Sequence, residues 1–402
     1  MSAVRTRHKV PTKYFTMIID ADIHYAHPNL FDHISFKNSI WEEYSAREKK
    51  EKDLRVEGTW QGMYNGIKDQ SWPLCPALED FHTLPLSIRK EIAETQSESC
   101  RVIDEFSQIE LVDTGRYLTA WQLENIFKNF LKTDRGLLIL EPNMQNASYA
   151  MPKEQAVEFM QVYNKFMLAF CEENQKFDIV AWLALQDLEA SKVELDKIID
   201  QDFFGVFMSL HPGWGFIPGS HYIFDVCAKK KMPVYLHPTA GATSPADYFL
   251  NWENDTPMFR KMKLKWPEKY ETWKIMAASL ITESVLERNP DLRISIAERG
   301  VHWIHEVREF LIDNGYPDPL PYFKNNFWYT ADPERPTFLE DGELVGWDHI
   351  LFATDWPHID EGGIHKFKDV ELLQQYRDTG KITASDYDCI THKNYLFLKN
   401  KK

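Results

Sequence analysis

No run of about 18 apolar residues occurs in this 402-residue chain, which argues against a transmembrane helix. Cysteine is scarce: the five residues Cys75, Cys100, Cys171, Cys227 and Cys389 are scattered, odd in number and never spaced as CxxC. That pattern speaks against a disulfide framework and a structural zinc site, and the thiols read as reduced, mostly buried side chains. Positive charge is in deficit, with 46 Lys and Arg against 61 Asp and Glu and a formal net charge of −15. Nucleic acid and anionic membranes require a positive field, so neither is expected as a partner. Anionic small molecules stay open, because a bound dication reverses the local potential. The opening segment MSAVRTRHKVPTKYFTMIIDADIH is basic but has no apolar signal core before its first strand candidate. It reads as a short solvated tail on a cytoplasmic protein.

Hydrophobic residues make up 44% of the chain, enough for a large core, and 402 residues suit a single α/β barrel with insertions. Strand candidates are 15–23, 136–141, 178–185, 205–210, 232–237, 292–298, 325–330 and 349–355. Helical patterns fall at 120–132, 153–175, 189–199, 222–231, 271–289, 303–314 and 384–398, the fifth stopped at Asn289-Pro290. Apolar strands alternating with amphipathic helices imply a parallel sheet, and eight of them a closed (β/α)₈ barrel. An open doubly wound sheet is the rival, but no GxGxxG follows the first strand. Residues 31–120 lack this alternation and hold Trp41, Trp60 and Trp72. With no Gly/Ser-rich linker after it, the segment reads as a helical and loop insertion in one domain spanning 1–402.

Active residues of such a barrel stand at the C-terminal ends of its strands. Polar residues crowd those exits: Asp20, Asp22 and His24, then Glu141, Gln186-Asp187, His211, His237, Glu298, Tyr329-Thr330 and Asp355. Residues i and i+2 of a strand share a face, so Asp22 and His24 can enter the mouth together. A turn aspartate with a surface histidine is the alternative. His237 reads as a ligand or a hydrogen-bonded core histidine, and Asp355 as a ligand or a helix N-cap. Two imidazoles and two carboxylates suit Zn²⁺, and also Mn²⁺, Fe²⁺ or Co²⁺, with positions left for water and substrate.

The ordered set IIDADIH, WLALQD, MPVYLHP, ISIAERGVHWI, LFATDWPH and HKNYLFL resembles the amidohydrolase-related family of the amidohydrolase superfamily, which includes aminocarboxymuconate-semialdehyde decarboxylase and several aromatic acid decarboxylases. The resemblance implies a TIM barrel and one divalent metal ion, Zn²⁺ first, held by Asp22, His24, His237 and Asp355. It also implies that Asp355 moves protons. His358 falls on the last position of the TDWPH motif, where it would hold substrate or orient Asp355, with a loop-packing role as the alternative. The chain departs from the family in carrying Glu298 where many members have a histidine after the sixth strand. Glu298 then reads as a ligand, a general base or an acceptor fixing a ligand, while His302 and His305 read as outlying or surface residues. The fourth strand, GVFMSLHP, lacks the lysine that bridges two metals in other members of the superfamily, so one metal is expected.

The leading expectation is decarboxylation of a small aromatic or conjugated carboxylic acid, with Asp355 as proton donor. His211, His358, Trp356 and Trp60 are the candidate substrate contacts, and the insertion's aromatic residues are candidates to exclude water. The rival is hydrolysis of an amide, lactone or C–C bond with Asp355 or Glu298 as base. A lesser rival is an inactive barrel used for binding. The family also suggests a homo-oligomer.

Overall fold

The computed structural model describes residues 17–25, 123–124, 126–140, 153–210, 217, 219–238, 256–266, 271–331, 333–356 and 368–400. The expected insertion at 31–120, and with it Trp60, lies outside them, as do Glu141, His211 and His358.

Eight strands follow one another around a ring. They are β1 (Ile19–Tyr25), β2 (Arg135–Leu140), β3 (Phe177–Ile179, continued after Val180 by Ala181–Trp182), β4 (Val206–Leu210), β5 (Val234–Pro238), β6 (Ile294–Ile296), β7 (Phe327–Ala331) and β8 (Ile350–Phe352). Each pairs in parallel with the next. Pairing carries across the break in β3, where Phe204 N donates to Ile179 O at 2.8 Å and Ala181 N to Gly205 O at 2.8 Å. The ring closes where Ile23 bridges Trp356 and His24 N donates to Trp356 O at 2.9 Å. The architecture is the expected (β/α)₈ barrel.

These strands hold because both of their faces are covered. Every residue of β1 and β7 is buried, as near-continuous apolar parallel strands require. Helix α1 (Lys153–Glu173) buries Ala156, Phe159, Met160, Tyr163, Met167 and Phe170, a stripe at helical spacing. The Phe159 ring meets Trp182 edge-on at 5.1 Å. Helix α2 (Leu188–Ile198) starts at Asp187, whose carboxylate accepts from Ala190 N at 3.0 Å and pairs with Lys153 at 3.0 Å. The acidic residue at the third strand exit is therefore a helix cap. Gly205 is required at the entry to β4, where a Cβ would lie 2.4 Å from Pro233 O.

Two of the differences from the sequence reading bear on the site and the core. β1 ends two residues later than the candidate 15–23, so His24 lies within the strand with Asp20 and Asp22. Pairing with β2, which begins at Arg135, overrides the low strand propensity of aspartate. The helix expected at 271–289 divides into α3 (Thr272–Thr282) and a turn at Val285–Arg288, separated by Ser284 in the left-handed region (φ 55). The break returns Val285 and Leu286 to the core after a half-buried polar stretch.

Candidate functional site

The site begins with an irregularity in β1. Asp20 pairs with Gly136 and Ile23 with Leu138, so Ala21 and Asp22 together stand opposite Leu137. This is a β-bulge, a device that re-aims side chains near functional sites. Its freed backbone groups are both satisfied. Ala21 O accepts from the Tyr235 hydroxyl at 2.8 Å, and Asp22 N donates to Asp20 Oδ1 at 3.2 Å.

Beyond the bulge, side chains from four strand ends converge. His24 Nε2 lies 3.0 Å from Asp355 Oδ1 and 3.2 Å from Glu298 Oε1. His237 Nε2 lies 2.8 Å from the same Glu298 oxygen. The two imidazoles meet nearly at right angles, with centroids 5.0 Å apart. Asp22, His24 and His237 each offer a donor atom within 4.8 Å of the others, and so do His24, Glu298 and Asp355. The structure thus brings Asp22, His24, His237 and Asp355 together, with Glu298 among them.

Two of these residues bend the backbone out of its ordinary range. Glu298 has φ 61 and Asp355 φ 54. A left-handed conformation at a residue other than glycine costs roughly 1–3 kcal/mol and is found where surrounding contacts enforce it. Here Glu298 N donates to Thr330 Oγ1 at 3.0 Å. Before Asp355, Thr354 donates to Asp20 twice, from N at 3.1 Å and from Oγ1 at 2.6 Å.

Buried charge governs the electrostatics. Burial raises the Glu298 carboxyl, but the imidazoles of His237 and His24 pull it down further, leaving it well below the usual carboxylate range. Burial holds Asp22 well above that range, and Asp355 and Glu298 add to the rise against the pull of His24. Burial disfavours protonated His24, yet its contacts with Asp355 and Glu298 win and raise it well above its ordinary value. Burial also pushes Asp20 up to about 7.

A divalent ion fits this donor set. Among the described residues neither oxygen of Asp22 has a hydrogen-bond partner, although both are buried. Donors bound to one ion at about 2.1 Å lie roughly 3.0–3.4 Å apart; His24 Nε2 and Asp355 Oδ1 are 3.0 Å apart, and the donor atoms of Asp22, His24 and His237 all lie within 4.8 Å of one another. Binding an ion to such carboxyl and imidazole groups is coupled to release of their protons.

The remaining candidates separate. Trp356 is fully buried and joins β1 through its carbonyl. His302 is exposed and pairs with Asp341 at 3.3 Å, and His305 is exposed. Sequence reasoning missed Tyr235 and Thr354 and marked Thr330 only as a polar strand exit; all three hold the site's backbone. A tyrosine two residues before His237 and aspartates inside an apolar strand were the available signals. A cavity of about 460 Å³ lies at the opposite end of the barrel, near the starts of β2 and β3. Its Arg135 and Lys399 both pair with Asp178, at 3.0 and 2.5 Å, so its charges are engaged structurally.

Comparison with known proteins follows the same lines. No curated protein matches the chain. Among solved structures, 5-carboxyvanillate decarboxylase from Sphingomonas paucimobilis is 16% identical with a TM-score of 0.60, covering 94% of this chain and 97% of that one. The manganese-containing 5-carboxyvanillate decarboxylase from Novosphingobium aromaticivorans is 16% identical with a TM-score of 0.59, covering 96% and 97%. The 2,6-dihydroxybenzoate decarboxylase from Rhizobium is 16% identical with a TM-score of 0.55, covering 96% and 98%. At this identity the likeness establishes the shared fold. The amidohydrolase family model matches residues 80–394, a span that takes in His237, Glu298 and Asp355. By that match, over most of its length, the chain belongs to the amidohydrolase family.

Proposed function

We propose that this chain is a divalent-metal-dependent decarboxylase of a small aromatic or conjugated carboxylic acid. The observation that carries the reading is the convergence of two imidazoles and three carboxylates at buried strand ends, with both Asp22 oxygens lacking a hydrogen-bond partner among the described residues. Asp22, His24, His237 and Asp355 would hold one ion. When bound, such an ion supplies Lewis acidity toward a substrate carboxylate and a neighbouring oxygen. Mn²⁺ and Zn²⁺ both suit the nitrogen and oxygen donors, and the structural neighbour from Novosphingobium aromaticivorans contains manganese.

The chain's own residues provide the rest. Asp355 carries a proton to the ring carbon as the C–C bond breaks, so that the bonding electrons stay on carbon and CO₂ leaves. Its left-handed backbone at the end of β8 holds its Oδ1 beside His24. Glu298 is held ionised between the imidazoles, so it orients them and is not the proton source. Aromatic acid decarboxylases among the structural neighbours support the choice of reaction.

One observation favours a second reading. Glu298 stands between the two imidazoles, 2.8 Å from His237 and 3.2 Å from His24, where a carboxylate can accept a proton from an activated water, which suits hydrolysis of an amide, lactone or C–C bond. The two readings separate in one experiment. Purified protein with Mn²⁺ or Zn²⁺ is given 5-carboxyvanillate, 2,6-dihydroxybenzoate and related acids in ¹⁸O-labelled water. Release of CO₂ with one solvent proton on carbon is expected. Label entering product without CO₂ would sink the decarboxylase reading.

A further inference from the structure

We infer that Tyr235 and Asp20 are positioning residues of the metal centre, acting by holding the Ala21–Asp22 bulge open beneath it. The inference rests on the metal reading above and adds how the chain builds the site.

The bulge matters because of what it does to His24. Starting from Asp20 opposite Gly136, an unbroken ladder would set His24 level with Leu140. In the structure His24 is level with Ile139. One residue of register is about 3.3 Å along the strand and a change of face. A binding constellation tolerates errors of only about 0.5 Å. The bulge therefore decides whether His24 meets Asp355 and Glu298.

A bulge persists only if its freed backbone groups find partners, since a buried carbonyl or amide without one is penalised. Tyr235 serves the carbonyl of Ala21 from β5, the strand that also carries His237. Asp20 serves the amide of Asp22 and is itself gripped by Thr354, the residue before Asp355. The two side chains thus tie the strand bearing Asp22 and His24 to the strand bearing His237 and to the segment bearing Asp355. Phe207 on β4 stacks on both Tyr235 (centroids 6.2 Å) and His237 (5.9 Å), steadying the strut and the imidazole together.

The test uses full-length protein with Mn²⁺ as probe. Affinity is measured by calorimetry, and thermal unfolding is followed separately in chelator. Tyr235→Phe keeps the ring and removes the strut. Tyr329→Phe is the control, because Tyr329 is equally buried and its hydroxyl donates to a carbonyl, Phe323 O at 3.0 Å, outside the site. Both variants should lose a similar amount of stability in chelator. Only Y235F should bind Mn²⁺ more weakly, by about 10–100-fold, the size seen when outer partners of metal ligands are removed. If Y235F does not fold, Thr354→Val carries the same test, since it strips Asp20 of one donor and should weaken Mn²⁺ binding in the same direction. Unchanged affinity in Y235F or T354V, or equal weakening in Y329F, overturns the inference while leaving the metal reading intact. A wild type that takes up no divalent cation overturns the metal reading, and the inference with it.

Discussion

His24 Nε2 stands 3.0 Å from Asp355 Oδ1 across 331 residues of sequence, the first strand of the barrel against the end of the last. Next to this contact, His24 N donates to Trp356 O, the bond that closes the ring. The contact that closes the barrel thus lies directly beside a contact that assembles the site. The buried charges of the site are brought together by the same pairing that gives the fold its last strand contact.

On the metal reading His237 is one of four ligands, buried at the end of β5 and 2.8 Å from Glu298. His237→Ala should weaken Mn²⁺ or Zn²⁺ binding by more than about 100-fold, beyond what the loss of an outer partner does. Stability in chelator should fall by only roughly 1–3 kcal/mol. Metal analysis after dialysis, with circular dichroism on the same samples, checks both. Full metal content and turnover in the variant would remove His237 from the ligand set.

Glu298→Gln keeps the shape of the side chain and deletes its charge. Between two imidazoles it should retain metal while turnover falls by about 10–100-fold, the range for removing a partner that orients metal ligands. Metal content and kcat measured together decide the matter. Loss of the metal itself would make Glu298 a ligand.

Asp20 gives the metal-free protein a pH-dependent stability. Its carboxyl sits at about 7 in the fold against an ordinary 3.8, because burial and then Asp355 disfavour the charge against the donors from Thr354 and Asp22. The native state therefore holds this proton more tightly than the unfolded chain. The stability it contributes is full below the unfolded value and is lost as pH rises through about 7. Asp20→Asn removes this dependence and should make the stability curve in chelator flatter. The difference between wild type and variant should change by up to about 4 kcal/mol across that window. Denaturant titrations at a series of pH values give the slope, and identical slopes would show that Asp20 titrates normally.

Gly205→Ala separates fold from site. Its Cβ would sit 2.4 Å from Pro233 O at the barrel end away from Asp22, His24 and His237. A loss of about 1–3 kcal/mol is expected from the forced shift, with Mn²⁺ affinity unchanged. A drop in affinity matching that of His237→Ala would mean that strain crosses the whole barrel.

The sequence by itself determined the eight apolar strands, their alternation with amphipathic helices and the positions of Asp22, His24, His237, Glu298 and Asp355 near strand ends. These are local properties, set by residue type and by spacings of two and about 3.6 residues. Tertiary structure alone decided the rest. That Trp356 is buried as the ring closes, and that Glu298 and Asp355 bend into the left-handed region, depend on partners tens or hundreds of residues away. The bulge at Ala21–Asp22 shows why most clearly. Nothing in DADIH states which register it will take against β2, because that register is settled by Tyr235 and Thr354 supplying hydrogen bonds across the barrel. The strand ends named a donor set, and the long-range hydrogen bonds turned it into a site.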